Sequence, residues 1–267
     1  MNNIKWPLSA IFVFAFSLLS ITKPGYAQEV IKVESAPTVS PLLELYTSEG
    51  CSSCPGAEEW LGRLGAALDE TFHAIPLAFH VDYWDRLGWK DPFADPAFTK
   101  RQQNIAAING QNTLYTPQFV VTGAQARGAN DVLDKIVSAN KQEAPLSISL
   151  NLTALDKTTL KAAISIDSKY ATTESQVFVA VYENNIFRQI GAGENKGKTL
   201  RHNYVVRHWS AASDGFAEQA DELKKLTIPL QTNWSRENLG VAIVVLDKES
   251  GKTLQAVNTP IARLFES

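Results

Sequence analysis

The chain has 267 residues, 45% of them apolar and 20% charged, with 25 basic against 28 acidic side chains. That length and apolar content suffice for a sizeable core and for two domains. The mildly acidic balance offers no basic footprint, which argues against a charge-driven nucleic-acid binder.

The first residues read as an address rather than as fold. Lys5, an apolar run from Leu8 to Ile21, and Pro24-Gly25-Tyr26-Ala27 with small residues at Gly25 and Ala27 form a secretory signal over 1–27, cleaved after Ala27. The run is too short to span a bilayer comfortably, and no later stretch is long enough, so no membrane span is expected after cleavage. Losing Lys5 and Lys23 leaves 23 basic against 28 acidic side chains, a mature net charge of −5. The expected location is periplasmic or secreted. There an oxidising environment lets disulfides persist.

In the mature chain, residues 28–40 read as a lead-in. Leu42 to Tyr46 is an apolar run interrupted only by Glu44, suited to a buried strand. Ser48-Glu49-Gly50 breaks it, and Cys51-Ser52-Ser53-Cys54 follows. A helix from Pro55 to Leu68 then carries Trp60, Leu61, Leu64 and Leu68 on one face. Ala74 to Asp82 is a second buried strand, with Pro76 near its start. Tyr83 to Phe93 has no clean period and reads as an ordered aromatic loop. Asp95-Pro96 supplies a cap and first position for a second helix, which stops near Asn109-Gly110. Gln118 to Val121, a turn at Gly123 and a return strand follow, and then a third helix with Asn130 as its expected cap.

After Pro145 the texture changes. Leu146 to Leu152 alternates strictly, Lys161 to Ile166 does so loosely, and Val177 to Tyr182 is a buried run ending at Asn184-Asn185. Further strands are expected at 204–207, 226–230, 241–246 and 254–257. This spacing predicts an all-β sandwich-like domain over 144–267. Gly191 to Gly197 resembles a phosphate loop only superficially, and a hairpin connection is expected there.

The order strand, helix, strand, helix, strand, strand, helix, with cysteines after the first strand and Thr116-Pro117 opening the third, resembles the thioredoxin-like superfamily. Thr116 to Gly128 is similar to the proline loop and hairpin of its glutaredoxin branch. His80-Val81-Asp82-Tyr83-Trp84-Asp85 further resembles an uncharacterised family of secreted bacterial thioredoxin-like proteins of unassigned function. The resemblance implies an α/β thioredoxin-like domain over 41–143. It also implies a cis Thr116–Pro117 bond against a Cys51–Cys54 disulfide, with Thr116 and Pro117 binding an extended substrate.

Cys51 and Cys54 are the only cysteines. A thiol at a helix N-terminus meets backbone N–H groups that favour its thiolate, so Cys51 is expected to attack and Cys54 to resolve. As a staple across four residues, the pair would contribute only about 2 kcal/mol. The first expectation is thus an exported thiol-disulfide oxidoreductase acting on protein or small-molecule thiols and disulfides, with no diffusible cofactor. Glu44, His80 and Asp82 are candidates for a proton relay, each weighed against a structural role. Two alternatives stay open. One is a non-enzymatic thioredoxin-fold binding module. The other is a copper or zinc metallochaperone using Cys51, Cys54 and His80; Met1 departs with the signal, so no thioether is available. Tyr83, Trp84, Trp89 and Phe93 are expected to pack, or else to line a peptide groove. His202 and His208 have no evident partner in the sequence.

Overall fold

The computed structural model describes residues 29–168, 175–214 and 224–266. The signal segment expected over 1–27 lies outside them. In chain order the strands and helices are β1 (Val30–Glu34), β2 (Leu42–Thr47), α1 (Cys54–Ala66), β3 (Ile75–His80), α2 (Pro96–Ile108), β4 (Gln118–Val121), β5 (Ala124–Ala126) and α3 (Ala129–Asn140). There follow β6 (Leu146–Asp156), β7 (Thr159–Ser168), β8 (Ser175–Glu183), β9 (Ile186–Gln189), β10 (Thr199–His202), β11 (Val205–Asp214), β12 (Lys224–Pro229), β13 (Leu239–Asp247) and β14 (Thr253–Pro260).

Eight strands form one sheet in the order β14-β13-β8-β11-β3-β2-β4-β5. β2 and β3 run parallel, with Thr47 registered on His80, while β4 lies antiparallel on the other side of β2. β11 joins the two halves, parallel to β3 and antiparallel to β8. A second, antiparallel sheet has the order β1-β6-β7-β12, and β9 with β10 makes a separate hairpin.

Each strand face has its own core. Leu42 and Tyr46 of β2 join Phe79 of β3, Tyr182 of β8, Val244 of β13 and Phe98 and Ile105 of α2 in a cluster spanning both halves of the large sheet. On the opposite face, Leu43 and Leu45 pack with Leu61 and Leu64 of α1 and Val132 and Ile136 of α3. Farther along that face, Val177, Val179, Val181, Val241, Ile243 and Val245 meet Ile148, Leu150, Leu152 and Ile164 of the four-stranded sheet. Burying each Leu or Ile contributes about 1.5–3 kcal/mol, so these three clusters dominate the stability.

The expected fold class, an α/β thioredoxin-like domain followed by an all-β sandwich-like domain, is corrected. The molecule is mostly β, and its large sheet draws strands from both halves of the chain. The physical reason lies in β8 and β13. Val177-Phe178-Val179-Ala180-Val181-Tyr182 and Val241-Ala242-Ile243-Val244-Val245-Leu246 are apolar on both faces, as central strands covered on two sides must be. β8 and β13 therefore extend the sheet that contains β2 and β3 instead of closing a separate sandwich. The expected lead-in contains β1, which pairs with β6 from Val30 to Glu34.

Local chemistry sets the helix ends. Asp95 caps α2, its Oδ1 accepting from the Ala97 N–H at 2.8 Å, and Pro96 takes the first position. α3 begins after Gly128 rather than at a cap by Asn130, because Gly128 turns the chain with φ of 85°. The aromatic loop contains a 3-10 helix over Asp82–Leu87.

Candidate functional site

Cys51 and Cys54 are joined by a disulfide at the end of α1, where Cys54 is the first helical residue and Pro55 the second. Both cysteines are 0% exposed, whereas Ser52 and Ser53 face solvent. Ser53 precedes the helix without capping it; its hydroxyl lies 3.3 Å from Cys51 Sγ.

The stretch joining β9 to β10 docks on the backbone of this motif. Asn195 is fully buried and its side-chain amide donates to the carbonyls of Glu49 and Cys51, each at 2.9 Å. Lys198 donates to Asn195 Oδ1 at 2.9 Å, and Glu194 accepts from the Ser52 N–H at 3.0 Å. Gly191 and Gly193 rest on Trp89. The hairpin connection expected for Gly191 to Gly197 is what the structure contains.

Behind the disulfide lies a group of buried ionisable side chains. α1 carries Glu58 one turn after Cys54, on the same face, and farther along that face Gly62 and Gly65 leave room for a neighbour. A Cβ on Gly62 would sit 2.9 Å from Asn203 Nδ2, and one on Gly65 would sit 2.3 Å from the Tyr204 hydroxyl oxygen. This close docking of the β10–β11 junction brings His202 onto Glu58. His202 Nδ1 bonds Glu58 Oε2, His202 Nε2 lies 3.2 Å from Glu49 Oε1, and the Thr47 hydroxyl donates to Glu58 Oε1 at 2.6 Å. Glu49 also accepts from Trp89 Nε1 at 2.8 Å and Arg188 Nε at 3.3 Å.

His80 enters from the end of β3, beside Thr47. Its Nδ1 lies 2.7 Å from Asp91 Oδ2, and Asp91 also accepts from the Glu49 and Phe93 N–H groups at 2.8 and 2.9 Å. The His80 and His202 rings stand 5.3 Å apart, and Phe93 packs edge-on against both.

At Glu58, His80, Asp91 and His202 charge coupling overrides desolvation. Burial alone would lower the His202 pKa, but the Glu58 and Glu49 carboxylates push it up to about 10. Burial likewise opposes charge on His80, yet Asp91 raises its pKa. Glu58 and Asp91 would be raised by burial, but His202 and His80 respectively hold them below the usual carboxylate range.

Of the residues expected to matter, His80 belongs to this group. Glu44 does not. It is buried in a bidentate pair with Arg101, at 2.6 and 3.0 Å, and accepts from the Tyr46 hydroxyl at 2.7 Å. Asp82 accepts from the Thr99 hydroxyl at 2.5 Å, at the start of α2. The Thr116–Pro117 bond is cis. Thr116 Oγ1 accepts from Trp84 Nε1 at 2.7 Å, and Trp84 Cβ would touch a Cβ built on Gly50 at 3.4 Å, so Trp84 spans the gap between the proline loop and the cysteine motif. Tyr83 and Trp84 pack against the core shared with α2. His208 lies apart, its Nε2 2.9 Å from Ser210 Oγ.

Sequence reasoning missed Glu58, Asp91, Asn195 and the partners of His202. Glu58 was within reach, since its spacing from Cys54 puts both on one helical face. Asp91 and Asn195 sit in irregular stretches with no periodicity to mark them.

Comparison with known proteins adds the family. No curated protein matches the chain. Among solved structures it is similar to protein AGR_C_4864 from Agrobacterium tumefaciens, with a TM-score of 0.60 and 22% identity, covering 83% of this chain and 94% of that one. It is also similar to HBP35 of Porphyromonas gingivalis, with a TM-score of 0.59 and 17% identity, covering 85% and 76%. At these identities the likeness shows the fold alone. Residues 42–246 match the family described as a protein of unknown function, DUF1223, and the chain belongs to that family.

Proposed function

We propose that this protein is exported and exchanges disulfides with protein or small-molecule thiols through Cys51 and Cys54. The observation that carries the reading is the disulfide's position: it closes a loop of only four residues, directly before α1 and directly beside a concentration of buried ionisable groups. So short a loop gives a weak staple, and buried titratable groups gathered around one reactive bond are characteristic of working sites. The resemblance of residues 42–55 and 116–128 to thioredoxin-like motifs supports the same chemistry.

A partner thiolate attacks Cys51 Sγ, breaks the bond to Cys54 Sγ and forms a mixed disulfide, and Cys54 leaves as a thiolate stabilised by the N-terminal end of α1. A second thiol on the partner then attacks the mixed disulfide. It leaves the partner oxidised and Cys51–Cys54 as a dithiol, and the reverse sequence reduces a partner. Because both cysteines are buried, the first attack needs a local opening, and we assign it to the stretch carrying Asn195, which is bonded to the Cys51 carbonyl.

That burial also favours a second reading, a binding module in which the disulfide is static. The experiment separating them offers reduced Cys54→Ser protein a glutathione disulfide or a disulfide-bonded peptide. Exchange predicts a stable adduct through Cys51 by mass spectrometry, absent in Cys51→Ser. Lack of any adduct from folded Cys54→Ser protein contradicts exchange and leaves the static module.

A further inference from the structure

The buried group beside the disulfide has the construction of a metal centre. Glu58, His80 and His202 each present one ligand atom, and the three atoms lie within 4.8 Å of one another. All three residues are buried. His80 Nε2 has no hydrogen-bond partner among the described residues, although its ring is fully enclosed and its Nδ1 is held by Asp91. A buried ring nitrogen without a partner is rare and calls for an explanation.

The surroundings match what a metal requires of its outer partners. Metal-bound histidines commonly donate their other ring N–H to a carboxylate, and bound carboxylates are themselves hydrogen-bonded. Here Asp91 holds His80, Glu49 holds the Nε2 of His202, and the Thr47 hydroxyl holds Glu58. With both imidazoles neutral, the carboxylates of Glu49, Glu58 and Asp91 against the Arg188 guanidinium leave two negative charges.

We propose that Glu58, His80 and His202 bind one divalent first-row transition cation. Two imidazoles and one carboxylate suit zinc and its neighbours; they are a poor match for calcium or magnesium, which take oxygen, and for copper(I), which takes sulfur. The cation takes the place of the proton between Glu58 and His202. The two ligand atoms then separate to about 3.3–3.5 Å, the spacing set by metal–ligand bonds of about 2.0–2.2 Å in a tetrahedron. The site uses no sulfur, so it stands independently of disulfide exchange and can be tested in the oxidised protein.

The test strips the mature, disulfide-bonded protein with a chelator, then titrates it with zinc by calorimetry and with cobalt(II) by visible spectroscopy. The expected result is one zinc per chain, and a cobalt spectrum lacking thiolate charge-transfer bands that is unchanged in the Cys51→Ser, Cys54→Ser variant. Asp91→Asn keeps all three ligands but should weaken zinc about 10–100-fold, His80→Asn should weaken it further, and His208→Asn should leave it unchanged. Absence of stoichiometric zinc in the wild type overturns the proposal, as does a thiolate-type cobalt spectrum. If His80→Asn does not fold, the wild-type spectra and Asp91→Asn decide: undiminished zinc affinity in folded Asp91→Asn overturns the site.

Discussion

β2 serves two buried charge centres that differ in kind. Within the strand, Glu44 is closed off: Arg101 meets it through two bonds, Tyr46 adds a third, and the Arg101 guanidinium lies 4.7 Å from the Trp209 ring centroid. Burial would lower the Arg101 pKa, but Glu44 raises it, so the guanidinium stays charged. Just past the strand's end, Glu49, Glu58 and Asp91 share two imidazoles and one guanidinium, and one imidazole nitrogen has no partner among the described residues. Burial of charge is common to both centres. What distinguishes the second is a buried ring nitrogen without a partner among the described residues, in a group whose Glu49 and Glu58 lie close in sequence to the Cys51–Cys54 disulfide, and that is where chemistry is to be sought.

The comparison breaks most visibly at Arg101. Arg101→Met strands the Glu44 carboxylate in the core and should cost about 3–5 kcal/mol, measured by urea denaturation. Adding Glu44→Gln should recover much of the loss, since replacing both charges removes the uncompensated one. Disulfide exchange, measured below the unfolding transition, should be unchanged in the double variant. Loss of exchange there would mean that the two centres are coupled.

A smaller effect is expected at Asn195. Asn195→Ala removes two bonds to the carbonyls of Glu49 and Cys51, favouring withdrawal of the covering stretch by about 1 kcal/mol. That corresponds to about fivefold faster reduction of the disulfide by dithiothreitol under native conditions. An unchanged rate would show that Asn195 does not hold the cover closed.

Most local elements were legible in the sequence, for identifiable reasons. The apolar run at Leu42 to Tyr46, the Asp95-Pro96 helix start and the stop at Asn109-Gly110 each carry a local signal, and the structure forms elements there. His80 stands at the cysteine end of the sheet because β2 and β3 pair in parallel. Sheet partners were not legible. A continuous apolar run tells that β8 and β13 are buried but not which strand lies alongside, and β11 meets β3 through one registered pair, Val205 with Ala78. The same limit hid the site, because Glu58 and His202 are 144 residues apart and meet only where Gly62 and Gly65 admit the β10–β11 junction.

The most direct measurement is the rate at which dithiothreitol reduces Cys51–Cys54 in intact protein across urea concentrations below the unfolding transition. A working disulfide under a local cover predicts reduction that is nearly independent of urea, because only residues 191–197 need to move. A rate that rises with urea in step with global unfolding would contradict the account and make the bond a buried staple.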